Sequence, residues 1–233
     1  MRSDPLAALF AELGRLRQLA LLESELRARG FTHVAGVDEV GRGCLAGPVV
    51  AGAVILPAGC VLPGLDDSKR LDPDSRSRLD HAIRLRAVAI GLGVVEARQI
   101  DSENILRASL EAMRRAVCAL DPAPDALLVD AVRVPAVRVP QVAVIHGDAL
   151  SVSIAAASIV AKVHRDRLLE ALARRHPVYG FESHKGYGTP EHWEALRLYG
   201  PCPEHRMSFR GVTPEPGPGA LGNRQARRRG QSG

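Results

Sequence analysis

The chain has 233 residues, enough to bury one full core with a small appendage and without disulfide or metal staples. Hydrophobic residues at 46% and charged residues at 24% exclude a disordered or fibrous chain, and aromatic residues at 3% leave the core to Leu, Val, Ile and Ala. The formal charge of +5 points only weakly to nucleic acid, because the tail from Gly211 to Gly233, with four arginines against Glu215, accounts for +3 of it.

From Asp4 to about Arg29, leucines recur every three or four residues, which predicts one amphipathic helix closed by Gly30. Phe31 to Val37 reads as a first strand, Pro48 to Leu56 as a second and Arg86 to Val95 as a third, together an antiparallel meander. Between the second and third strands, Asp72 or Asp74 caps a helix with Pro73 near its start. A longer helix follows Asp101 or Ser102 and runs through Ile105, Leu110 and Val117. Ala126 to Val129 and Val142 to Ile145 are wholly apolar, the pattern of central strands buried on both faces. The helix from about Leu150 to Arg175 is small and apolar in its first half and must lie close on the sheet. Tyr179 to Tyr187 is rich in turn residues, Thr189 caps a short helix around Trp193, and the segment after Arg210 is expected to be disordered.

No apolar run reaches the roughly 18 to 20 residues that span a bilayer, and no basic patch precedes an apolar segment, so a cytosolic protein is expected. Cys44, Cys60, Cys118 and Cys202 contain no C-x-x-C pair and are expected to be reduced and mostly buried.

The chemistry concentrates in carboxylates at strand ends. Gly36-Val37-Asp38-Glu39 ends an apolar strand in two adjacent acids, and Gly41-Arg42-Gly43 follows. Adjacent like charges at a sheet edge repel unless a cation neutralises them. Because side chains alternate along a strand, the chain is expected to bend near Glu39. Asp130 follows the ALLV strand, where open α/β sheets place ligand-binding groups. Asp148 precedes the buried helix and reads either as its cap or as a further active-site acid, and Asp166 on that helix competes for the fourth position. An all-oxygen set without a Cys or His cluster suits Mg²⁺ or Mn²⁺, the ions of two-metal phosphodiester hydrolysis.

Four ordered motifs, GVDEVGRGCLAGPVVAGAVIL at 36–56, DDSKRL at 66–71, HGDALSVSIAAASIVAKVHRD at 146–166 and HKGYGT at 184–189, resemble the ribonuclease HII family over about Ala35 to Phe209. The resemblance implies an α/β ribonuclease H-like fold, a mixed five-stranded sheet flanked by helices with a small helical C-terminal extension. It divides the chain into a helical extension (1–30), a catalytic domain (31–178), a substrate-contacting segment (179–210) and a basic tail (211–233). It implies that Asp38, Glu39 and Asp130 bind metal and that Asp148 is the fourth active-site acid. Gly41, Arg42 and Gly43 match the turn that reads the junction between a ribonucleotide and the next deoxynucleotide, Tyr187 the tyrosine on the neighbouring sugar, and Lys69 a phosphate-contacting lysine. Lys162 and Arg165 would extend a phosphate-facing surface. Ala131 stands where the family often has glycine.

The implied activity is metal-dependent cleavage 5′ to a ribonucleotide in duplex DNA, and of RNA in RNA/DNA hybrids, leaving 3′-hydroxyl and 5′-phosphate ends. The alternatives are a non-cutting nucleic-acid-binding module on the same fold and a ribonuclease HIII-type enzyme, which normally carries a larger N-terminal domain. A monomer is expected. A sliding clamp is a candidate partner, with no clear clamp-binding peptide in the tail.

Overall fold

The computed structural model describes residues 4–213. Valine, alanine and glycine dominate β1 (Val34–Val40), β2 (Val49–Ile55) and β3 (Ala89–Val95), and these strands pair antiparallel in sequence. β4 (Ala126–Asp130) joins the other edge of β1 in parallel, and β5 (Gln141–Val144) joins β4 in parallel, giving the order β3-β2-β1-β4-β5. The mixed five-stranded sheet is the one expected.

Helices cover both faces. On one, Ala35, Val37, Ala51 and Ala53 pack with Ala108, Ala112, Met113 and Ala116 of α5 (Ile105–Cys118). On the other lies α6 (Val152–Arg175), its small first half against β1 and β2. The closeness of α6 depends on glycine: a Cβ on Gly36 would stand 2.0 Å from the Ser153 carbonyl carbon, and one on Gly52 would stand 2.5 Å from the Ala157 oxygen. Gly91 and Gly93 make the same room for α5 against β3.

Several expected elements differ in detail. The leading helix is two helices, α1 (Pro5–Leu19) and α2 (Leu21–Ala28), broken at Ala20. The break lets Leu16 and Leu19 pack with α6 residues such as Ile159, while Leu22 and Leu26 join a separate cluster under β1 and β4. β1 begins only at Val34, because the Asp125 carboxylate takes the N–H groups of Thr32 and His33 at 2.7 and 3.0 Å. It then stays regular through Val40, pairing Asp38 with Gly52 and Glu39 with Ala51, so the chain does not bend at Glu39 but turns at Gly41, where φ is +93°.

α3 (Pro73–Arg86) is capped by Asp72 as expected, but Asn104 rather than Asp101 or Ser102 caps α5, after the short α4 (Ala97–Glu103). Asp101 instead accepts the N–H groups of Met207 and Ser208. β5 is an edge strand, with Val142 and Ala143 exposed, so it is not the doubly buried strand its apolar run suggests. Ser151, not Asp148, caps α6, donating its hydroxyl to Glu23 while accepting the Ile154 N–H at 3.1 Å. The C-terminal part adds α7 (Phe181–His184) and α8 (Pro190–Tyr199), the latter capped by Thr189. The tail assigned to disorder lies outside the described residues from 214 onward. Cys44 and Cys202 are buried, whereas Cys60 is partly buried and Cys118 exposed, and all four are free thiols. Among the described residues, no helix is long and apolar enough to cross a membrane.

Candidate active site

Parallel pairing of β1 and β4 runs in register to Val37 opposite Val129, so the next residues, Asp38 and Asp130, leave the sheet side by side at its carboxyl edge. Alternation puts both on the face covered by α6, as it does Gly36 and Leu128. Glu39 leans from the other face of the same strand end. With Val40 to Gly43, Ser68, Lys69, Asp148, Ser158, Lys162 and Tyr187 they line one cleft of about 320 Å³. The site residues named from the sequence are therefore gathered in one place, with two exceptions.

The first is Arg165. It is fully buried and faces no cleft: Nε donates to the Pro48 carbonyl at 2.9 Å, Nη1 to Lys185 at 2.9 Å and Nη2 to Ala46 at 3.1 Å. Asp166 is not a further acid of the cluster. It is held by Lys162 at 2.7 Å and Arg76 at 3.4 Å, an ion-pair network that fixes Lys162 at the cleft wall.

Burial and crowding set the electrostatics. Asp38 is 8% exposed, and its pKa is pushed well above the ordinary carboxylate value, chiefly by desolvation and then by the charges of Glu39 and Asp130. The Ser158 hydroxyl and the Glu39 N–H, the latter at 2.8 Å, oppose this by bonding the charged form. Ser158 is in turn 2.8 Å from the Ser68 hydroxyl, which ties the Lys69 loop to α6. Desolvation also raises Glu39, against the pull of Arg42, whose Nη1 lies 3.0 Å from the carboxylate. Asp148 sits in a single 3₁₀ turn, Gly147–Ala149, and is raised by desolvation and by Asp67 and Asp130, with Lys69 opposing.

The site therefore concentrates more negative charge than its own cations balance. Its donors are all oxygens, which fits a hard divalent cation. Among the described residues, no three His, Cys, Asp or Glu side chains stand preassembled around one point. The reason is visible in their partners: Glu39 is drawn to Arg42, and Asp130 accepts the Gly147 N–H at 2.8 Å.

The backbone after Asp130 is strained. Ala131 has φ +54°, the left-handed region in which an L residue other than glycine costs roughly 1 to 2 kcal/mol. A residue without Cβ fits there more easily, yet Ala131 leaves Asp130 in line with Asp38.

The loop carrying Tyr187 is anchored by a chain of hydrogen bonds that sequence reading missed. The Tyr187 carbonyl can only accept, so His192, whose Nδ1 is 2.9 Å away, carries its proton on Nδ1. Its bare Nε2 then accepts from His205 Nε2 at 3.0 Å, and His205 Nδ1 accepts the Cys202 N–H at 3.0 Å. Only two neutral rings satisfy this chain. His205 is accordingly held down to about 4, mainly by burial and then by His192, and burial lowers His192 too.

A group whose folded pKa lies below its unfolded value of about 6.5 leaves the unfolded chain binding more protons in between. The pair's stabilising contribution is thus complete above pH 6.5 and is lost as pH falls toward 4. The raised carboxylates act in the opposite sense, so ring titration isolates the pair better than a melt. Nitrogen-15 spectra are expected to show His205 neutral at pH 5.5 with its proton on Nε2; a His205 that titrates near 6.5 would contradict the chain.

A family model described as Ribonuclease HII matches residues 35–212. A ribonuclease HII of Geobacillus kaustophilus is 58% identical over 195 residues, covering 84% of this chain and 75% of that protein. Among solved structures, the ribonuclease H2 of Pyrococcus horikoshii superposes with a TM-score of 0.66 at 27% identity, over 77% of this chain and 94% of that one. The RNase HII of Archaeoglobus fulgidus, solved in complex with PCNA, gives a TM-score of 0.64 at 27% identity, over 76% and 95%.

Proposed function

Because the chain belongs to the ribonuclease HII family and is an endoribonuclease of the ribonuclease H type, we propose that it cleaves on the 5′ side of a ribonucleotide embedded in duplex DNA, and within the RNA of RNA/DNA hybrids. The observation that carries this reading is the register that brings Asp38 beside Asp130 in a cleft shared with Glu39, two lysines, the glycine turn and Tyr187.

Asp38, Glu39 and Asp130 hold divalent ions, and Asp148 is the fourth acid. Bound Mg²⁺ or Mn²⁺ supplies activation of the attacking water and neutralisation of the leaving 3′ oxygen. Lys69 and Lys162 meet the phosphates of the strand, setting register without reading sequence. The Gly41-Arg42-Gly43 turn offers backbone N–H groups to the junction: neither Arg42 N–H nor Gly43 N–H has a protein acceptor among the described residues. The Tyr187 ring, 42% exposed with its hydroxyl against Cys44, presents a flat apolar surface to a sugar.

A duplex with one ribonucleotide tests the proposal. With Mn²⁺ or Mg²⁺ a single cut 5′ to the ribonucleotide is expected, with 5′-phosphate and 3′-hydroxyl ends, and EDTA is expected to stop it. Binding without cutting in the presence of metal would favour the non-cutting module instead.

A further inference from the structure

We propose that Arg206 is the positioning residue that turns the N–H groups of the Gly41-Arg42-Gly43 turn toward substrate, an inference that rests on the turn reading the ribonucleotide junction. Arg206 is fully buried. Its Nη2 donates to the Gly41 carbonyl at 2.7 Å and to Gly47 at 2.9 Å, Nη1 donates to Arg42 at 2.8 Å, and Nε donates to Gly47 at 3.1 Å. The Phe209 ring lies 5.1 Å from the guanidinium carbon and covers it.

In a trans peptide the carbonyl of one residue and the N–H of the next point in opposite directions. The only cis bond among the described residues is Asp121-Pro122, so pinning the carbonyls of Gly41 and Arg42 inward directs the N–H groups of Arg42 and Gly43 outward. Among the described residues those two N–H groups have no acceptor, and residues 40 to 43 line the cleft. The guanidinium thus fixes two donors for an oxygen that is not part of the chain, much as an oxyanion hole is preorganised.

A planar fork is needed for this. Lysine could keep the charge but not span three carbonyls at fixed angles. The clamp is itself aimed by its neighbours. Residues 204 to 206 bridge 45 to 47 in extended form, with the Gly47 N–H donating to Glu204 and the Arg206 N–H to Leu45. Successive residues of this segment therefore face opposite ways, His205 toward His192 and Arg206 toward the turn. One short segment secures both the Tyr187 loop and the glycine turn.

The test compares Arg206→Lys, Arg206→Met and Gly41→Ala with wild type. Gly41→Ala disturbs the turn directly, since its Cβ would stand 2.2 Å from Arg165 Nε at a φ of +93°. Two quantities are read: kcat/KM on the single-ribonucleotide duplex, and inhibition by an all-DNA duplex. The arginine variants are expected to lose about 10- to 100-fold in kcat/KM, below the full loss of a donor, while all-DNA duplex competes within about threefold of wild type. A general folding defect would move both readouts and the melting temperature together.

If Gly41→Ala loses selectivity and both arginine variants keep it, the turn reads the junction but Arg206 does not set it, and the proposal is wrong. If none loses selectivity, the junction reading itself fails. Proton–nitrogen spectra of the wild-type chain keep the question open to refutation even where the variants misfold. The Arg42 and Gly43 amides are expected to shift with the ribonucleotide duplex and much less with all-DNA duplex, and unmoved amides would overturn the inference.

Discussion

Asp38→Asn is expected to lower cleavage of the single-ribonucleotide duplex by about 1000-fold or more while leaving the fold as stable as before, or more so. The loss follows from the proposed function: Asp38 is the most buried of the acids in the cleft and feels the charges of both Glu39 and Asp130, so it is the carboxylate an ion held there would be expected to share. A 1000-fold loss corresponds to about 4 kcal/mol of transition-state stabilisation. The gain follows from electrostatics. Desolvation and two neighbouring carboxylates already penalise the charged form, and an amide of the same shape keeps an oxygen for the Ser158 hydroxyl and the Glu39 N–H. Activity and melting temperature should therefore separate. A fully active variant would remove Asp38 from the mechanism, and an inactive variant that melts well below wild type would make the loss a folding effect.

Gly36→Ala is expected to cost about 3 kcal/mol or more of stability, at or above the top of the range for overpacked cores. The contact explains why relaxation is limited: the new Cβ would meet backbone atoms of Ser153 and Ile154 at 2.0 and 2.2 Å, so α6 as a whole must lift from β1. Lifting α6 also draws Ser158 away from Asp38, so activity should fall with stability. For a chain of this size the melting temperature should drop by roughly 6 to 12 °C. Gly14→Ala is the matched control. Nothing lies within 4 Å of that position in α1, and the same change there should stabilise by roughly 0.5 to 1 kcal/mol through helix propensity. Equal effects at the two positions would mean that α6 is not packed on the sheet through its glycine seam.

The sequence made the sheet legible because the apolar runs overlap β1 to β4, and it made the acids legible because each ends or follows an apolar run. It misled at β5, where VAVI looks doubly buried. Position at the sheet edge, which no local pattern encodes, leaves Val142 and Ala143 in solvent. At Asp148 it left cap and active-site acid open. Aspartate and serine are equally good caps, and Ser151 takes that place, its hydroxyl held by Glu23, 128 residues away in sequence.

Arg165 and Arg206 were unreadable for a related reason. Arginine is almost never fully buried, and the carbonyls that satisfy these two come from distant turns. Ser158 had a usable signal: a hydroxyl in an otherwise apolar, buried helix must bond something, and here it bonds Asp38 and Ser68.

Titration of Mn²⁺ into the protein, followed by the electron-paramagnetic-resonance signal of the free ion, reports directly on whether these carboxylates gather a divalent cation. Wild type should quench the signal as ions leave solution, and Asp130→Asn should need at least about tenfold more protein for the same quenching, a loss of about 1.4 kcal/mol. An Asp130→Asn protein that took up Mn²⁺ as tightly as wild type would mean that the paired ends of β1 and β4 are not where the metal sits.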